Sequence, residues 1–115
     1  MSESQIRERL DGFAIFLEDN PTYRADIMAY GGLRSCRGEA LKRARLASEY
    51  LTNEKGIAAA RIAISDGGYR EEWAVELWKG VDGAKRPFSM LTIDRNKVKI
   101  IKNCPITRNE HQSYD

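Results

Sequence analysis

Histidine is nearly absent from this sequence: there is one, His111, in the polar stretch near the C-terminal end. Its scarcity removes the commonest general base and metal ligand from the body of the chain. No Cys/His or Ser/His/Asp arrangement can be read, and no spacing matches a zinc or calcium site. The neighbouring carboxylates Glu71 and Glu72 would point to opposite sides of a strand, a poor geometry for paired acid and base work. These absences argue against an enzyme, and neither a cofactor nor a metal is expected. Long apolar runs are missing too. Nothing approaches the roughly 20 residues that a helix needs to cross a bilayer, so no membrane insertion is expected. Charge of one sign is not in excess, since 19 basic side chains meet 17 acidic ones for a net charge of +2. That balance does not point to nucleic acid by itself. Cysteine is limited to Cys36 and Cys104. They read either as two free thiols or as one disulfide, which needs an oxidising compartment. Such a bridge would close a long loop and contribute up to roughly 4 kcal/mol.

What remains is an ordinary globular composition, 42% hydrophobic and 31% charged over 115 residues, enough for one domain with one core. The opening residues lack the apolar centre of a signal peptide, which reads as a cytoplasmic chain. A chain whose signal had been removed would read the same and lie in the periplasm or cell envelope.

Helical spacing of Ile6, Leu10, Phe13, Ala14, Phe16 and Leu17 predicts an amphipathic helix from about Glu3 to Leu17, ended by Asp19-Asn20-Pro21. The unalternating run Ile27 to Tyr30 suits a central strand covered on both faces, broken by Gly31-Gly32. A second helix is expected from about Gly38 to Lys55, its stripe formed by Ala40, Ala44, Ala47 and Leu51, with Gly56 as its cap. A strand from about Arg61 to Ser65 leads into the turn signal Asp66-Gly67-Gly68, and a further strand carries Trp73, Val75 and Leu77 on one face and Ala74, Glu76 and Trp78 on the other. These two strands read as an antiparallel pair. Ser89 to Ile93 and Val98 to Ile101 look strand-like around Asp94-Arg95-Asn96, a C-terminal hairpin. The expected organisation is a domain over 1–83, an extension of it over 84–103, and a polar, frayed tail over 104–115.

The second helix and the segment after it carry Arg43-Ala44, Ala47, Tyr50-Leu51, Gly56-Ile57 and Arg61-Ile62. This pattern, in the order α-β-α-β-β, resembles the OmpA-like domain, a family that includes the peptidoglycan-associated lipoprotein and a flagellar stator protein. The resemblance covers about Leu10 to Lys79. The segment from Asp66 to Trp78 also resembles uncharacterised, mostly exported bacterial proteins. The resemblance implies an α+β two-layer sandwich, two helices packed on a mixed β-sheet. It further implies binding of the diaminopimelate of peptidoglycan through an aspartate after the first strand and the arginine of Arg-Ala. The arginine corresponds to Arg43. At the aspartate's place this chain has Tyr30-Gly31-Gly32-Leu33, without an acid, and Cys36 and Glu39-Ala40 replace the family's Asn and Leu-Ser.

Arg43 admits two readings. It can pair with Glu39 at i,i+4 spacing, or aim its planar fork at a ligand carboxylate. In the second case Gly31 and Gly32 would leave backbone N–H groups accessible, Arg34 would add positive charge, and Tyr69 and Arg70 would form a second wall of the cleft rather than a plain connection. The basic cluster Arg34, Arg37, Lys42, Arg43 and Arg45 has only Tyr30 as a nearby aromatic and is diluted by Glu39 and Glu49, so nucleic acid is not the expected partner. The leading expectation is a non-catalytic bacterial cell-envelope domain that binds an anionic ligand, a peptidoglycan stem peptide in the family's manner. The alternative is an OmpA-like scaffold that has lost that ligand and serves protein–protein interaction. An open cleft beside Arg43 favours the first, and an exposed apolar patch elsewhere favours the second.

Overall fold

The computed structural model describes residues 1–81, 87–90, 92–102 and 104. Helix α1 spans Glu3–Asp19. Ser2 caps it in a reciprocal box: its hydroxyl accepts from Gln5 N–H at 3.2 Å, and Gln5 Oε1 accepts from Ser2 N–H at 2.8 Å. At the other end Asn20 Nδ2 donates to the Phe16 carbonyl, and Pro21 prevents continuation. Helix α2 spans Glu39–Glu49 and widens into a π turn over Tyr50–Glu54. Gly38 and Gly56 bracket it at positive φ of 69° and 71°, where a side chain would be strained. Ile6, Leu10, Phe13, Ala14 and Leu17 of α1 and Ala40, Ala44 and Ala47 of α2 join Leu51 in one buried cluster. The three alanines let α2 lie close to the sheet below.

That sheet has the order β3-β1-β4, with β1 at Arg24–Gly31, β3 at Ile62–Tyr69 and β4 at Ala74–Gly80. Strand β1 runs parallel to β3 and antiparallel to β4. The architecture is thus α+β, two helices with a mixed three-stranded sheet. The core joins both helices to Ala25, Ile27, Ala29 and Val75. The unalternating apolar run is buried from Ala25 to Gly31, as a central strand requires. It begins earlier than its apolar residues suggest, because buried Asp26 is held by Arg24 Nε at 3.2 Å.

Three expectations are corrected. The last two strands of the sheet do not pair with each other. The chain crosses the end of β1 between them, where Arg70 N–H donates to Gly31 O and Leu33 N–H to Glu71 O. The segment Asp66-Gly67-Gly68 is not a turn but part of β3. The register against β1 slips between Ala29 and Tyr30, so Gly67 is the extra residue of a bulge. A Cβ on Gly67 would lie 2.5 Å from Tyr30 Cε2 and 2.9 Å from Met28 Cγ, so the glycine makes room for the Tyr30 ring. Finally, Lys99–Ile101 does not return as a hairpin. It forms β5, paired in parallel with β2 at Arg34–Cys36, while Arg95–Lys97 is a single 3-10 turn. The expected strand Ser89 to Ile93 is not seen at its described residues, and Leu91 lies outside them. The expected boundary near Gly83 and, of the expected tail 104–115, positions 105–115 with His111 also lie outside the described residues, while Cys104 is held by a bond to Cys36.

The two cysteines are paired: Cys36 is bonded to Cys104 with the Cα atoms 5.6 Å apart, across 68 positions of sequence. The bond fastens the C-terminal arm beside β2. From there the arm lies over the sheet face opposite the helices, where Arg70 donates to the Met90 carbonyl and Ile93 N–H to the Tyr69 carbonyl. Both tryptophans are partly covered, on opposite faces of the sheet, Trp73 immediately before β4 and Trp78 within it. Trp73 packs on the helix side and Trp78 meets Phe88 of the arm.

Candidate functional site

Helix periodicity puts Glu39 and Arg43 one turn apart on α2, and the fold buries both, to 6% and 7% exposure. Arg43 Nε donates to Glu39 Oε2 at 3.0 Å. The other Glu39 oxygen accepts from Cys36 N–H at 2.9 Å, so this carboxylate ties the end of β2 to the start of α2. Above the guanidinium lies the Trp73 ring, 3.6 Å from its central carbon to the ring centre. Glu3 of α1 adds a longer contact, 3.9 Å to Nη1. A planar cation held edge-on by a carboxylate and covered by an indole face is a stable, desolvated arrangement.

The two glycines serve packing. A Cβ on Gly31 would stand 2.5 Å from Ser35 Oγ, and one on Gly32 would stand 3.1 Å from Trp73 N. Gly32 offers its carbonyl to Ser35 Oγ at 2.7 Å. Arg34 is exposed on β2, where it faces Lys99 in register. Together Gly32 and Arg34 line a shallow cleft of about 350 Å³ walled by Leu33, Glu71, Glu72 and Trp73. Arg70 lines a neighbouring cleft of about 560 Å³ with Gln5, Arg9 and Ala74, and Trp73 borders both.

Arg70 itself turns to the face opposite Arg43. Its guanidinium lies 3.6 Å over the Tyr30 ring, and Nη2 donates to Glu76 Oε2 at 2.9 Å. Glu76 Oε1 accepts from Tyr30 Oη at 3.0 Å and from Trp78 Nε1 at 3.2 Å. Burial, and then the bond to Glu76, push the Tyr30 hydroxyl above the usual tyrosine range. Tyr69 stands near Gly31, with the Arg95 guanidinium 5.8 Å over its ring. The six candidate residues therefore form no single cluster: Arg43 lies under Trp73, Gly32 and Arg34 on the rim above, and Arg70 beneath the C-terminal arm.

Sequence reading missed the partners more than the residues. Trp73 and Glu76 enter only through tertiary packing, which no local spacing announces. Arg61 is a further residue whose role no local pattern signals. Its guanidinium donates to the carbonyls of Leu17, Asn20 and Tyr23, closing the C-terminal end of α1. Among the described residues no three His, Cys, Asp or Glu side chains gather as a metal site would need. Comparison with family models, with curated proteins and with solved structures finds no match.

Proposed function

We propose that this domain is a non-catalytic scaffold of the bacterial cell envelope, OmpA-like in descent, that has left peptidoglycan binding behind and works through protein–protein contact. One observation carries the reading. Glu39, a carboxylate of the chain itself, occupies the position beside Arg43 that a ligand carboxylate would take, and Trp73 covers the guanidinium from above. An anionic ligand would have to displace a buried partner and leave that carboxylate desolvated and unpaired, which is costly. Two features support the rest. The Cys36–Cys104 bond belongs in an oxidising compartment such as the periplasm. Apolar surface is exposed away from Arg43, at Phe88 (64%) and Met90 (45%) on the arm beside Trp78.

The test is a titration of the isotope-labelled, oxidised protein with a diaminopimelate-containing muropeptide, read from backbone amide shifts. The expected result is no response in residues 31–45 at millimolar ligand. Saturable shifts clustered there would overturn the reading in favour of a retained anion site.

A further inference from the structure

The sheet ends on one side at β4, whose only strand partner among the described residues is β1. The Val75 N–H is directed to Met1 Sδ at 3.3 Å, and hence away from β1. Successive N–H groups of a strand point to opposite edges, so the outward set continues at Leu77 and Lys79. Their side chains face the helix layer, where Leu77, Lys79, Phe13, Phe16 and Arg9 line a groove of about 340 Å³ between α1 and the strand. Its floor is aromatic and aliphatic, and its walls carry two cations. Lys79 Nζ stands 4.0 Å over the Phe16 ring. On the other side of the same edge, half-buried Trp78 and exposed Phe88 form a second apolar strip, their rings 6.4 Å apart. The opposite edge of the sheet is less suited: β3 carries the Gly67 bulge, and its final carbonyl is taken by Ile93.

We infer that β4 accepts an extended peptide segment of a partner protein as an added strand. Alternate side chains of that segment would enter the Phe13–Phe16–Leu77 groove and rest on Trp78 and Phe88, and one carboxylate on the groove side would meet Arg9 and Lys79. The two cations define the chemistry of the occupant. A lysine at a sheet edge repels a basic strand and a second copy of itself, and admits an acidic one. The main-chain bonds supply affinity that is independent of sequence, while the two apolar strips and the carboxylate select the segment.

This inference deepens the protein-contact reading and rests on it, but the two fail differently: muropeptide shifts in residues 31–45 overturn that reading, whereas a peptide titration probes β4. The probe is acetyl-Val-Thr-Glu-Val-Val-Thr-amide, titrated into the labelled, oxidised protein. The expected response is saturable shifts at residues 75–79 and at Phe13 and Phe16, with slower amide exchange at Leu77 and Lys79. Replacing the peptide's Glu by Lys, or making Lys79→Glu in the protein, weakens binding roughly tenfold. Methylating alternate peptide nitrogens on the side that faces β4 abolishes it. No response at millimolar peptide, shifts centred elsewhere, equal affinity for the Lys peptide, or self-association through β4 seen in sedimentation would each overturn the inference.

Discussion

Arg43→Met isolates what the guanidinium does for the fold. Methionine keeps much of the stem under Trp73 but removes the charge that faces Glu39. At 3.0 Å and an effective dielectric of about 20, the Coulomb attraction between the two groups is about 5.5 kcal/mol before desolvation is subtracted. Removing one member of a buried pair typically costs about 3–5 kcal/mol, because the other is left as an uncompensated charge. Among the described residues, Glu39, at 6% exposure, would keep only the Cys36 N–H as a hydrogen-bond partner, and the Trp73 face would lose its cation. The expected loss is therefore about 3 kcal/mol in urea denaturation of the oxidised protein, with the slope unchanged. Glu39→Gln preserves an acceptor for Cys36, and the double variant Arg43→Met with Glu39→Gln removes both charges. It should recover about 2 kcal/mol relative to the sum of the single changes, since the coupled term is counted once. A loss under about 0.5 kcal/mol for Arg43→Met, with no coupling, would mean that the Glu39–Arg43 pair does not support the fold and would leave Arg43 available for a ligand.

Cys104→Ser removes a link across 68 positions and, on the loop-entropy relation, lowers stability by roughly 4 kcal/mol in denaturation, with increased amide exchange in β5; unchanged stability would mean the bond does not form in solution. Gly67→Ala drives a methyl into the Tyr30 ring and should cost about 1–3 kcal/mol, whereas an alanine tolerated there would refute the bulge. Tyr50 donates to Asp11 at 2.6 Å, a bond that pushes the Tyr50 hydroxyl up to about 12 and, with Lys55, holds the Asp11 carboxyl below its usual range. The tyrosine's contribution is complete below pH 10 and lost as pH rises through about 12, while the aspartate's is present above roughly pH 4 and lost as pH falls below it. Tyr50→Phe should flatten the pH dependence of stability at both ends, and an unaltered profile would place the bond outside the solution structure.

The two helices and the central strand were legible because each is specified by its own periodicity. The alanine stripe of α2 and the apolar run of β1 need no tertiary information. Strand pairing was not. Asp66-Gly67-Gly68 has the chemistry of a turn, yet its glycines serve the ring of Tyr30, a residue 37 positions earlier that no local window contains. Strand β5 was expected over Val98 to Ile101, but its parallel pairing with β2 was not: β2 has three residues, too few for any alternation to show, and the Cys36–Cys104 bond fastens the chain after β5 beside it. At the site, the Glu39–Arg43 spacing was in the sequence as an i,i+4 pair. What it could not carry was the depth of burial and the covering indole, which together turn a weak surface pair into a structural one.

The most direct test of the claim that Arg43 is held by the protein itself is the Arg43 Nε–H signal in a nitrogen-15 spectrum. If the claim holds, that signal is shifted by the Trp73 ring current, slow to exchange with water, and unmoved by millimolar muropeptide. A rapidly exchanging signal that shifts in a saturable way with the muropeptide would contradict it and restore Arg43 as a ligand-binding residue.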